Sequence, residues 1–109
     1  MPFSQSLADR LRDCLDRYPH IVEKKMFGGL GFLLNGNMMI GVWKHHLVLR
    51  LGAEQAADAL KQVHVKAFDI TGKPLSGWVM IAEEDIGDDI DLKAWLNQTM
   101  EFVGGLPGK

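Results

Sequence analysis

Residues 24–31 read Lys24-Lys25-Met26-Phe27-Gly28-Gly29-Leu30-Gly31, KKMFGGLG. The fold turns on whether these glycines open a helix around a phosphate or bend a sheet. A P-loop places its lysine after the glycines, between a strand and a helix. Here the lysines come first and a strand-like run, FLL, comes after. The dinucleotide pattern G-x-G-x-x-G also fails, because counting from Gly29 puts its third glycine at Leu34. Backbone amides gather on phosphate chiefly where a helix begins, and none is signalled here. Glycine inside strands usually marks a bulge, a corner or a close backbone approach. Met26, Phe27, Gly28 and Gly29 are therefore read as a structural strand junction.

Working outward, the chain from Ile21 to Leu51 consists of short apolar runs punctuated by turn signals. Asn35-Gly36 separates GFLL from MMIGVW and favours positive φ in a tight hairpin. Lys44-His45 separates MMIGVW from HLVLRL and suggests a second turn. With a preceding strand over Val22–Phe27, these segments predict an antiparallel meander. In HLVLRL, Leu47, Leu49 and Leu51 share one face, while His46, Val48 and Arg50 share the other. FLL and MMI are apolar on both faces, as if both were covered. Helices would cover one, and a second subunit would cover the other.

Around the meander lie helical patterns. A first helix is expected from Phe3 or Ser6 to Arg17, with Ser6 and Asp9 at capping spacing and Pro19 beyond its end. Its stripe is Leu7, Leu11, Cys14, Leu15 and Tyr18, so Cys14 reads as a packing thiol. A second helix is expected over Ala53–Val63, with Ala56, Leu60 and Val63 turned inward. Val65–Ile70 and Trp78–Ala82 read as a strand pair, joined by a loop containing Pro74. Asp89 or Asp91 would cap a third helix with Leu92, Trp95, Leu96, Thr99 and Val103 inward and Gly104 just past its end. The order α-β-β-β-β-α-β-β-α makes an α+β fold: one mostly antiparallel sheet of five to six strands with three helices.

The 109 residues fit a single domain, 1–109, and the 47% apolar and 24% charged composition is that of a globular one. The lone cysteine excludes an intramolecular disulfide and suits a reducing compartment. Neither a signal peptide nor an apolar run of membrane-spanning length is visible. The expectation is a cytoplasmic protein without membrane contact. Net charge is −2. Residues 1–50 hold seven Lys/Arg against four acids, and residues 51–109 five against ten. Nothing resembles a strongly basic nucleic-acid footprint. Glu83 to Asp91 carries six carboxylates in nine residues and reads as a solvated loop leading into a helix.

Catalytic constellations are hard to find. His45 and His46 point to opposite faces of a strand, and His20 and His64 lie in other segments. No metal-ligand spacing occurs, and the pair reads as exposed turn histidines. Ser4, Ser6 and Ser76 lie outside any G-x-S-x-G motif. One small site is conceivable: Arg50, near a strand end, with Lys24 and Lys25 as an anionic pocket and His46 lining it. Trp43 and Trp78 are expected near that surface. Aromatic residues with arginine suit protein contacts and also single-stranded nucleic acid.

Met26-Phe27-Gly28-Gly29, Gly31, Gly36-Asn37-Met38 and Leu47-Val48-Leu49-Arg50 together resemble the N-terminal domain of the TfoX/Sxy family. Phe68-Asp69-Ile70-Thr71-Gly72-Lys73-Pro74, Gly77-Trp78-Val79 and the Asp91-Leu92 to Trp95 helix extend the likeness over nearly the whole chain. The resemblance implies an α+β fold with a central antiparallel sheet. The family is named for regulators of natural competence, in which this domain precedes a helical C-terminal one; the 109 residues would be a stand-alone version. It implies no catalytic residue and no cofactor. The expectation is a non-enzymatic module that forms a homodimer through its sheet and binds a protein partner. The rivals are an anionic-ligand site at Lys25 and Arg50, and a nucleic-acid-associated regulator, which the charge does not favour.

Overall fold

The computed structural model describes residues 3–26, 28–68 and 76–108. Its elements are α1 (Gln5–Leu15), β1 (Ile21–Met26), β2 (Gly29–Leu34), β3 (Asn37–Trp43), β4 (His46–Arg50), α2 (Ala53–Ala59), β5 (Val65–Ala67), β6 (Trp78–Ala82) and α3 (Asp89–Gly104). A 3-10 turn, Glu83–Asp85, precedes α3. The six strands form one sheet in the order β1-β2-β3-β4-β6-β5, and every pair is antiparallel. This is the expected α+β architecture.

The glycine stretch is a strand junction. Met26 pairs with Gly29, and the chain reverses at Gly28, which takes φ +72°. Only glycine adopts that conformation without a Cβ penalty. Phe27, the end of the expected strand at 69–70 and the expected connection over 71–75 lie outside the described residues. The other two turns are equally tight. Asn35 and Gly36 both have positive φ, 53° and 84°, as a type I′ hairpin requires. Lys44 has φ 54° between paired Trp43 and His46. Beyond β4 the chain crosses over through α2 and returns at β5. Strands β4 and β5 are both antiparallel to β6, which is inserted between them.

Period-two alternation sorts the strand residues onto two faces. One face holds Leu30, Phe32, Ile40, Val42, Leu47, Leu49, Val79 and Ile81, all buried. Leu7, Leu11 and Leu15 of α1 and Leu92, Leu96 and Val103 of α3 complete that core. Apart from Phe32 these side chains are aliphatic, and together they pack at crystal-like density. A β-bulge on β3, opposite Phe32 and Leu33, is the one irregularity in these ladders.

Several local expectations are corrected. Ser4, not Ser6, caps α1: its Oγ accepts the Leu7 amide, 3.3 Å, and its own amide donates to Lys44 O, 2.7 Å. That second bond fixes the helix start against the β3–β4 turn. Helix α2 ends at Ala59, so Val63 falls outside its stripe and is 86% exposed. Asp88, rather than Asp89 or Asp91, caps α3 by accepting the Asp91 amide. Helix α3 runs through Gly104, and Gly105 is its cap residue. Tyr18, expected on the inward stripe, is exposed because α1 stops at Leu15.

Candidate functional site

The sheet face opposite the helices carries three rows of side chains, read directly from strand register. The middle row is Lys24, Gly31, Gly41, Val48, Met80 and Lys66, one residue from each of the six strands. On one side lie Gly29, Trp43, His46 and Ala82. On the other lie Val22, Leu33, Met38, Arg50 and Trp78. In the middle row Gly31, Gly41 and Val48 are buried, Met80 is half-buried, and Lys24 and Lys66 are exposed; no described strand residue of this face is Asp or Glu.

Phe68 is the centre of the surface. It follows β5, where alternation sends it to the same face as Lys66, and it is 7% exposed. Its ring centroid lies 6.4 Å from Trp43, edge-on, and 5.9 Å from Trp78. Those are the separations of attractive aromatic pairs. Phe68, Trp43, Met38 and Val48 line a dimple of about 20 Å³ floored by Gly29 and Gly41. A Cβ on Gly41 would sit 2.7 Å from the Leu30 carbonyl oxygen and 3.2 Å from Met38 Cε. Glycine here lets strand and ring approach the same floor.

The string of rings continues at both ends. The Trp43 and His46 rings are 6.2 Å apart, and Lys44 Nζ lies 4.7 Å from the Trp43 centroid. Arg50 Cζ is 5.7 Å from the Trp78 centroid and 5.9 Å from that of Phe102 on α3, within cation–π reach of both. Its guanidinium also donates to Met38 O at a long 3.4 Å. Of the six residues singled out in sequence, the structure brings together Trp43, His46, Arg50 and Trp78. It separates the lysines. Lys25 pairs with Leu30 and therefore points to the helix side. Lys24 shares the face of Arg50 but stands three strands away, about 14 Å laterally at the usual strand spacing. An anionic pocket shared by Lys25 and Arg50 is excluded by this parity.

His46 is not an exposed turn histidine. It is half-buried, and its Nδ1 is buried with no hydrogen-bond partner among the described residues. Burial pushes its pKa down, and the nearby positive charges of Lys66, His45 and Lys44 push the same way. The imidazole is therefore neutral at neutral pH. His45, by contrast, has a side chain 83% exposed.

The acidic run is partly built into the fold rather than wholly solvated. Glu83 accepts from Ser4 Oγ at 2.5 Å and Ser6 Oγ at 2.6 Å, and its amide donates to His45 O at 2.8 Å. The two hydroxyl bonds hold its carboxyl below the usual carboxylate range. Asp88 caps α3, Asp89 pairs with Arg10 at 3.2 Å, and Asp85 lies 3.5 Å from His64. Arg12 forks onto Glu23 at 2.6 and 3.0 Å, tying α1 to the edge strand β1. All these carboxylates belong to the helix side or the sheet ends.

For chemistry, the arrangement offers little beyond binding. Burial pushes the Cys14 thiol up, away from the thiolate that acts as nucleophile. Among the described residues no three His, Cys, Asp or Glu side chains are placed to hold a metal ion. Among them too, no helix is long and apolar enough to cross a membrane. Sequence reasoning missed Phe68, Lys66 and Lys44. Alternation within Val65-Lys66-Ala67-Phe68 was the available signal: it places Lys66 and Phe68 together on one face.

The fold and this surface define an α+β module with a six-stranded antiparallel sheet, helices on one face, and an aromatic, cation-rimmed other face. The family model of the TfoX N-terminal domain matches residues 13–103. The chain belongs to that family. Neither the curated proteins nor the solved structures contain a match to it.

Proposed function

We propose that this TfoX-like chain is a non-enzymatic interaction module that works by docking a protein on its helix-free sheet face, in a regulatory role. One observation carries the reading: Arg50, Trp78, Phe68 and Trp43 form a continuous string on that face, flanked by half-buried Met38 and Met80. Aromatic residues, methionine and arginine are the types enriched at protein interfaces. Val22, 63% exposed, extends the apolar surface to the sheet edge. The expected homodimer would compete with such a partner for this same face.

Photo-cross-linking in cells tests the surface. A benzoylphenylalanine at position 80, in the middle row, should give discrete adducts with protein. The same probe at position 57, exposed on α2, should not. Adducts from position 57 alone, or none from either, would refute the reading.

A further inference from the structure

Resting on the reading that the open sheet face is the docking surface, we propose that its occupant is an acidic segment of another protein, its carboxylates on Lys24, Lys66 and Arg50 and its apolar side chains on the aromatic centre. The argument is charge complementarity. Lys24 and Lys66 stand at opposite ends of one row that crosses all six strands. Five strand spacings separate them, about 24 Å, which an extended segment of about seven residues spans. Arg50 stands at a third side of the surface, and Lys44, over Trp43, at a fourth.

None of these four cations has a carboxylate within 4.0 Å among the described residues, whereas Arg10, Arg12 and Lys61 on the helix side each have one. Arg17, Lys25 and Lys93, away from this face, are likewise without a carboxylate within 4.0 Å among the described residues. What distinguishes the open face is that its described strand residues include Lys24, Lys66 and Arg50 and no acid.

Other occupants fit less well. A second copy docked face to face would bring two cationic rims together, and like charges across an interface oppose association. Single-stranded nucleic acid binds by stacking bases on free ring faces. Here Phe68 is buried between its two tryptophan neighbours, and Lys44 covers Trp43. The acid-rich helix layer also repels a long polyanion more than a short segment.

The test is a tryptophan-fluorescence titration of the whole chain with the peptide Glu-Ser-Leu-Ser-Leu-Ser-Glu-Ser, which when extended presents both Glu and both Leu on one face. Its controls are the Lys-for-Glu peptide, (dT)8 and (U)8. The Glu peptide should bind, more weakly as salt rises. The double charge reversal Lys24→Glu/Lys66→Glu should weaken it roughly tenfold, while Lys25→Glu, on the other face, should leave it unchanged. No binding, or binding insensitive to the double reversal, overturns the proposal. So does preference for either oligonucleotide, or a sedimentation-velocity dimer that the double reversal leaves intact. Failure here with adducts still formed from position 80 removes the acidic partner and keeps the docking surface; loss of those adducts removes the surface itself.

Discussion

Phe68→Ala is the sharpest perturbation of this surface. The side chain is 7% exposed and touches the Trp43 and Trp78 rings. Truncation removes about 150 Å² of buried apolar area, about 3.8 kcal/mol at ~25 cal/mol per Å². Lost ring–ring attraction adds about 1 kcal/mol, and relaxation toward an open face returns about as much, leaving about 3.8 kcal/mol. That is a large part of the roughly 5–15 kcal/mol that holds such a domain together. With an unfolding entropy of about 2.1 cal/mol/K per residue, the melting temperature should fall by about 17 °C. Urea unfolding and calorimetry measure both quantities, and near-UV circular dichroism should lose the signal of packed tryptophans. A loss below about 1 kcal/mol, with Tm within about 4 °C of the parent, would refute the seating of Phe68.

Gly41→Ala should cost about 1–3 kcal/mol by urea unfolding, because its Cβ meets a backbone oxygen that cannot move aside. Glu83→Gln should cost about 1 kcal/mol at neutral pH, through weaker bonds to Ser4 and Ser6. The folded-state pKa of Glu83 is depressed, so as pH falls the unfolded chain takes up that proton first. The stabilisation is full above the ordinary carboxylate pKa of about 4.3 and is lost as pH falls through the lower folded-state pKa, so the gap between parent and variant should narrow as the pH drops below about 4.3. Lys24→Ala should weaken the Glu/Leu peptide about two- to threefold while Lys25→Ala leaves it unchanged, since adjacent strand residues face opposite ways.

Much of the fold was legible because its signals are local. Asn35-Gly36 encodes its own turn, the leucines of β4 encode their face, and a glycine at position 28 encodes a reversal that needs positive φ. The errors have equally physical causes. A short helix rich in alanine has too few turns for periodicity to locate its end, so Val63 was assigned inward. Ser4 and Ser6 are both competent caps, and the choice falls to a tertiary bond from the Ser4 amide to Lys44 O. The carboxylates of 83–91 look alike in sequence, and only tertiary contact selects Glu83 to accept from Ser4 and Ser6, while Asp88 caps α3. The candidate surface was half legible. Trp43, His46, Arg50 and Trp78 were found by residue type, but Lys25 was grouped with them against strand parity. Phe68 and Lys66 become neighbours of Trp43 and His46 only through the β6 insertion, which reorders the strands.

Two-dimensional ¹H–¹⁵N spectra titrated with the Glu/Leu peptide address the working surface most directly. The account predicts that shifts concentrate on Lys24, Gly31, Gly41, Val48, Met80 and Lys66 and on the indole N–H groups of Trp43 and Trp78, with α1 and α3 unmoved. Shifts confined to the helix layer, or a spectrum the peptide leaves unchanged, would contradict it.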